Sequence, residues 1–217
     1  MRNPSVMPVA AFVAAMCAVV AASNYLVQFP VRASVGGLDL ADLLTWGAFT
    51  YPVAFLVTDL TNRRFGPGAA RLVVLAGFAL AVAVSIVLAT PRIALASGSA
   101  FLVAQLLDVA VFNRLREAQW WQAPLISSVI GSVVDTAIFF SIAFAPAFAV
   151  FGANDAFAIE AAPLLGAFAA EVPRYVSWAL GDLGVKLIVG LAMLVPYGLL
   201  LRLTRPPRPL AGHGPAA

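Results

Sequence analysis

The sequence predicts an all-α membrane protein, a bundle of six transmembrane helices with both termini in the cytoplasm. Three observations lead there. Apolar residues make up 62% of the 217 residues and charged residues only 11%. A soluble domain carries about 25% charged residues, so this chain has too few to cover a water-facing surface, and its mean hydropathy of +0.96 agrees. Apolar runs of the length needed to cross about 30 Å of hydrocarbon recur along the chain. The basic residues collect in short segments on alternate sides of those runs.

The six runs are residues 7–29, 40–58, 71–90, 93–112, 123–151 and 175–203. The first follows Arg2 and resembles a signal-peptide core. It continues through Tyr25 and Phe29, however, and so is expected to stay as a span. The second contains Pro52, which removes a helical hydrogen bond and predicts a kink. The fifth is long and carries Gly131 and Pro146, so it is expected to tilt or to end early in a re-entrant turn. The loop 152–174 mixes Asp155 and Glu160 with apolar residues and predicts a short interfacial helix. Residues 1–204 form the membrane domain, and the Pro-, Gly- and Ala-rich tail 205–217 is expected to be disordered.

The arginines set the orientation. Arg2, Arg63, Arg64, Arg71, Arg114, Arg116, Arg202, Arg205 and Arg208 fall on one side, and Arg32, Arg92 and Arg174 on the other. The richer side is cytoplasmic by the positive-inside rule. Asp39, Asp42, Asp155, Glu160 and Glu171 then lie outside, and Trp120 and Trp121 mark an interface. The net charge of +3 is explained by this pattern and does not call for a nucleic-acid partner.

Ionisable groups in hydrocarbon are costly and mark function by default. Asp182 and Lys186 stand four residues apart, on one helix face, with the acid N-terminal to the base. They read either as an ion pair that eases insertion or as part of a substrate cavity. Asp135 lies near mid-membrane without a cation in its own helix, in the small-residue segment Gly131-Ser132-Val133-Val134-Asp135-Thr136. Gln105 and Asp108 share a face, and Asp108 precedes Asn113-Arg114. Asp59 precedes Asn62-Arg63-Arg64 in the same way. For Asp59 and Asp108, pairing with the nearby Arg63 and Arg114, in a gating or structural role, competes with binding. Asn24 adds a neutral polar group, and Trp46, Phe49, Tyr51 and Trp178 supply rings on which a flat heterocycle could stack.

Other residue types are scarce. The lone histidine, His213, is in the tail, so histidine-based metal sites and Ser–His catalysis have no residue to use inside the spans. There is no phosphate-binding loop for ATP. Cys17 is single and cannot form an internal disulfide. No enzyme activity, cofactor or metal is expected.

Several ordered motifs resemble a known family. Ser23-Asn24-Tyr25-Leu26-Val27-Gln28 is similar to the first-span motif of the bacterial queuosine precursor transporters, of the vitamin uptake transporter type. Thr45-Trp46-Gly47-Ala48-Phe49 and Phe55-Leu56-Val57-Thr58-Asp59-Leu60-Thr61 resemble its second span. The stretch from Leu107 to Arg116 resembles its fourth, Trp120-Trp121 and Asp135-Thr136 its fifth, and Asp182 with Lys186 its last. The segment 38–43, with Asp39 and Asp42, and the short connection at Pro91 depart from the pattern without touching these motifs.

The resemblance implies import of 7-cyano-7-deazaguanine or its 7-aminomethyl relative across the inner membrane by alternating access. A carboxylate of Asp135 or Asp182 would accept the adjacent N–H groups of the guanine-like edge. Lys186, Asn24 and Gln105 would add polar contacts, and Trp46 and Phe49 would stack. The partners are then this base and membrane lipid, with self-association left open. The rival expectation is a substrate-binding subunit of an ATP-driven vitamin importer, which has similar length and composition. An intramembrane enzyme and an assembly protein are weaker alternatives.

Overall fold

The computed structural model describes residues 6–36 and 38–204. The tail 205–217, and with it the expectation of disorder there, lies outside the described residues. Helix α1 (Val6–Leu26) is followed by a small antiparallel hairpin of β1 (Ser34–Val35) and β2 (Leu38–Asp39). Then come α2 (Gly47–Thr50), α3 (Pro52–Phe65), α4 (Pro67–Leu88), α5 (Pro91–Arg114) and α6 (Gln122–Phe144). A 3-10 turn (Pro146–Phe151), α7 (Ala156–Ile159) and a second antiparallel hairpin of β3 (Ala161–Leu164) and β4 (Phe168–Pro173) lead into α8 (Arg174–Thr204).

Among the described residues, five helices are long and apolar enough to cross a membrane: α1, α4, α5, α6 and α8. The expected second span is not among them. Residues 40–42 form a 3-10 turn, because the Asp39 carboxylate accepts the Ala41 N–H and caps it. Helix starts only at Gly47, and Pro52 splits α2 from α3 as expected. Tyr51 at the junction keeps helical torsions, so the backbone path is helical from Gly47 to Phe65. The fifth span ends early at Phe144, where Pro146 begins the 3-10 turn. The short helix expected in loop 152–174 is α7, N-capped by the Asp155 carboxylate, and β3 and β4 fill most of the remainder.

The polarity of the bundle is inverted relative to a soluble protein. Its exposed residues are apolar, with Val87 at 80% and Ile188 at 71% exposure. Its buried residues include Thr58, Asp59, Asn62, Gln105, Asp108, Ser127, Asp135, Thr136 and Lys186. Lipid accepts the first set, and only protein partners inside the bundle can satisfy the second. An apolar core of Met16, Val20, Val57, Val73, Val74 and Phe101 joins α1, α3, α4 and α5.

Small residues let the helices approach closely. A Cβ at Gly131 of α6 would lie 2.6 Å from the Phe55 ring and 3.4 Å from the Ala104 carbonyl oxygen. Phe55 is itself buried and cannot swing away. Gly131→Ala is therefore expected to destabilise the bundle by about 1–3 kcal/mol, measured by thermal unfolding in detergent. An unchanged melting curve would mean that the α3–α5–α6 contact is looser than described.

Candidate functional site

Two helices bring charges together in mid-bundle. Lys186 lies about 18 Å into α8 by helical rise. Its ammonium donates to Asp182 Oδ2 at 2.5 Å, one turn earlier on the same helix, and to Asp135 Oδ2 of α6 at 2.7 Å. It also reaches Thr136 Oγ1 at 3.3 Å, and that hydroxyl donates to Asp182 Oδ2 at 2.9 Å. Tyr51 completes the cluster from the α2–α3 junction. Its hydroxyl donates to Asp135 Oδ1 at 3.1 Å, and its ring faces the Lys186 ammonium at 5.1 Å. Asp135 thus has its cation on another helix. Two carboxylates share one ammonium, so with all three ionised the cluster carries one excess negative charge.

This cluster forms the floor of a cavity of about 580 Å3, within the range of small-molecule sites. The cavity walls come from the C-terminal ends of α1, α4 and α6, the N-terminal ends of α2, α5 and α8, and residues 41–45. These ends all lie on the side of the bundle that carries the two hairpins, and the cavity opens there. Phe139, Phe140, Phe144, Phe157 and Trp178 supply aromatic walls, and Asn24 and Gln28 add polar groups. Asp182 is the more accessible acid, at 17% side-chain exposure against 5% for Asp135. The arrangement suits a flat ligand with several N–H donors: carboxylates below to accept them, rings beside to cover its faces.

The predicted residues divide between this cavity and other places. Asn24, Asp135, Asp182 and Lys186 line it. Asn24 also donates its amide to the Val20 carbonyl at 2.9 Å. Trp46 and Phe49 lie outside the lining and pair with each other at 5.5 Å between ring centroids. The reason is helical spacing: Gly47, Ala48 and Tyr51 share the face that meets the cavity, and positions 46 and 49 share a different one. Gln105 is buried away from the cavity and accepts the Thr58 hydroxyl at 2.6 Å.

Asp59 and Asp108 form a second, deeper group. Both are buried, and among the described residues neither makes an ion pair. The expected pairing with arginines is absent because Arg63 turns elsewhere. Its guanidinium donates to Tyr197 Oη at 3.0 Å and to the Arg116 carbonyl at 2.6 Å, and Arg116 returns a bond to the Arg63 carbonyl at 2.8 Å. This knot ties α3 to α8 and to the α5–α6 loop on the side opposite the cavity mouth. Arg114 is exposed at the end of α5.

Some residues of the site carried no sequence expectation. The ring pair Phe139-Phe140 follows Asp135 by one helical turn, which was a readable signal. Tyr51, expected only as a stacking ring, and Thr136 act through contacts with other helices, and no local pattern announces those contacts. Arg92, assigned above only to a loop, is buried and binds the Ile142, Ala145, Gly152 and Ala153 carbonyls and Asn154 Oδ1.

Comparison with known proteins follows the same lines. The family described as "Putative vitamin uptake transporter" matches residues 45–90 and 84–200. The chain belongs to this family. This membrane chain is accordingly a transporter and not an enzyme. It is 36% identical to the "Queuosine precursor transporter" of Escherichia coli (strain K12), over 85% of this chain and 82% of that protein. It is also 36% identical to the "Probable queuosine precursor transporter" of Haemophilus influenzae, over 84% of this chain and 82% of that one. The "Probable queuosine precursor transporter" of Bacillus subtilis is 28% identical over 46% of this chain and 56% of that protein. No solved structure matches. The matched region of the family spans the α2–α3 break, Asp59, Asp108 and the Asp135–Asp182–Lys186 cluster.

Proposed function

We propose that this family member imports a queuosine precursor, 7-cyano-7-deazaguanine or 7-aminomethyl-7-deazaguanine, across the bacterial inner membrane. One observation carries the reading: an anionic cluster, Asp135–Lys186–Asp182, lies at the base of a ring-walled cavity of about 580 Å3. The names of the two relatives that match over most of their length supply the substrate class. Neither relative is named as a subunit of an ATP-driven importer.

In this reading α2 and α3 together are the sixth span, and both termini are cytoplasmic. The cavity then faces outward, and the Arg63–Tyr197–Arg116 knot closes the cytoplasmic side. Asp182 takes the guanine-like edge from the cavity side, with Asp135 held beneath it by Lys186 and Tyr51. Asn24 contributes a further polar contact. Stacking falls to Phe139, Phe140, Phe144 and Trp178, which line the cavity, in place of Trp46 and Phe49. Release inward requires the outer walls to close and the Arg63 knot to open, which is alternating access.

The test is uptake of labelled precursor, read also as queuosine in tRNA, in cells that cannot make the precursor. Wild-type protein is expected to restore both. Asp135→Ala and Asp182→Ala, at equal expression, are each expected to reduce uptake by about 100-fold, the effect of losing a buried charge-assisted contact of roughly 3 kcal/mol. Uptake surviving in both variants would remove the cluster from the substrate site.

A further inference from the structure

The Asp59–Asp108 group sits apart from the cavity. The two carboxyl groups face one another where α3 meets α5, close enough to share a hydrogen. Ser127 and Ser128 of α6 approach the Asp59 oxygens at 3.4 Å. Neither oxygen of Asp108 makes a hydrogen bond, although the Ser127 hydroxyl lies near, and the buried Gln105 amide nitrogen, one turn earlier on α5, is also without a partner. Among the described residues no cation forms an ion pair with either acid. Arg63 donates through Nε and Nη1 to Tyr197 and the Arg116 carbonyl, its buried Nη2 bonding to nothing, Arg116 donates to the Arg63 carbonyl, and Lys186 is held by Asp135 and Asp182. Arg64 and Arg71 are exposed, as is Arg114. Two ionised carboxylates facing each other in a dry interior repel strongly. One proton between them removes the repulsion and supplies the donor that Asp108 lacks.

We infer that the Asp59–Asp108 pair is a proton-binding site that couples movement of the substrate to a proton. A path leads to it. A crevice of about 10 Å3, the space of one water, is lined by Asp59, Ser128, Ser132 and Tyr197. Ser132 lies one turn from Asp135 on α6, so the crevice beside Asp59 and the floor of the cavity meet α6 at neighbouring turns. The site also adjoins the Arg63 knot, since Asp59 and Arg63 are one turn apart on α3. A proton entering from the cavity converts one carboxylate to a carboxylic acid. Its release to the cytoplasm regenerates the same carboxylate when the knot opens. Chains of polar and acidic side chains serve as proton relays in membrane carriers. The coupling rests on the proposed transport function; the binding of the proton does not.

Two measurements on the full-length protein decide it. Infrared spectra of purified protein, titrated in pH without substrate, are expected to contain a protonated-carboxyl band that shifts in Asp59→Asn and in Asp108→Asn and is lost in the double variant. A wild type without the band, or a double variant that keeps it, would overturn the site. In proteoliposomes with the membrane potential clamped, an inward gradient of one pH unit is expected to accumulate the neutral 7-cyano base about tenfold at one proton per substrate. Asp108→Asn, which imitates the permanently protonated acid, is expected to lose accumulation and to retain exchange of base for base. Gradient-driven accumulation by Asp108→Asn would overturn coupling through this pair. A wild type that neither exchanges nor accumulates the base would overturn the proposed function, and the infrared titration would then decide the proton site alone.

Discussion

Lys186→Met is expected to abolish uptake and to destabilise the protein by about 3–5 kcal/mol, the cost of removing one partner from a buried ion pair. The effect should sit at the upper end of that range. A single ammonium holds two carboxylates, at 2.5 and 2.7 Å, and its loss leaves both without a cation in the bundle interior. Tyr51 and Thr136 still donate to Asp135 and Asp182, but each supplies only one neutral hydrogen bond. Adding Asp135→Asn to Lys186→Met removes one of the stranded charges and is expected to recover much of the stability and none of the uptake. Thermal unfolding and precursor uptake, measured on the same preparations, separate the two effects. A Lys186→Met protein that melts and transports as wild type would mean the cluster neither braces the bundle nor binds substrate.

Arg92→Leu is the second large effect, and it falls on stability. The guanidinium is buried at the start of α5 and bonds to four backbone carbonyls and the Asn154 side chain. Two of those carbonyls, of Ile142 and Ala145, belong to the end of α6, where the helix leaves its last acceptors unsatisfied and its dipole favours a cation. Among the described residues no carboxylate is bonded to it; carbonyl dipoles neutralise the charge instead. Leucine fills part of the volume and leaves several buried carbonyls unpaired, at about 1–3 kcal/mol each. The expected loss is at least about 3 kcal/mol. Arg92→Lys should recover only a minor part, because an ammonium cannot reach the carbonyls on both sides as the planar fork does. A melting temperature close to wild type in Arg92→Leu would show that the α6 end is held by other contacts.

The membrane class was legible because it follows from bulk composition and from run length, which need no tertiary contact. Pro146 marked a real helix end and Pro52 a break in the hydrogen-bond ladder that leaves the torsions helical, for the same reason: a missing N–H acts locally. The Asp182–Lys186 pair was also readable, since its four-residue spacing sets the distance within a single helix. The second span was placed too early because 40–46 is apolar enough to pass as helix; the Asp39 cap and the turn back toward α1, seen in the Phe29 and Val31 backbone bonds to Trp46 and Leu44, decide otherwise.

What the sequence determined by itself is that a handful of ionisable residues sit where lipid cannot solvate them, so each needs a partner. Which partner each finds was decided only in the tertiary structure. Asp135 meets a lysine fifty-one positions away, Arg63 passes over Asp59 to reach Tyr197, and Asp59 and Asp108 are left facing each other. The reason is physical. Burial cost attaches to a residue type and its depth, both of which can be read along the chain. The compensating contact depends on which helix faces pack together, and the interdigitation of small residues such as Gly131 with large ones such as Phe55 sets that.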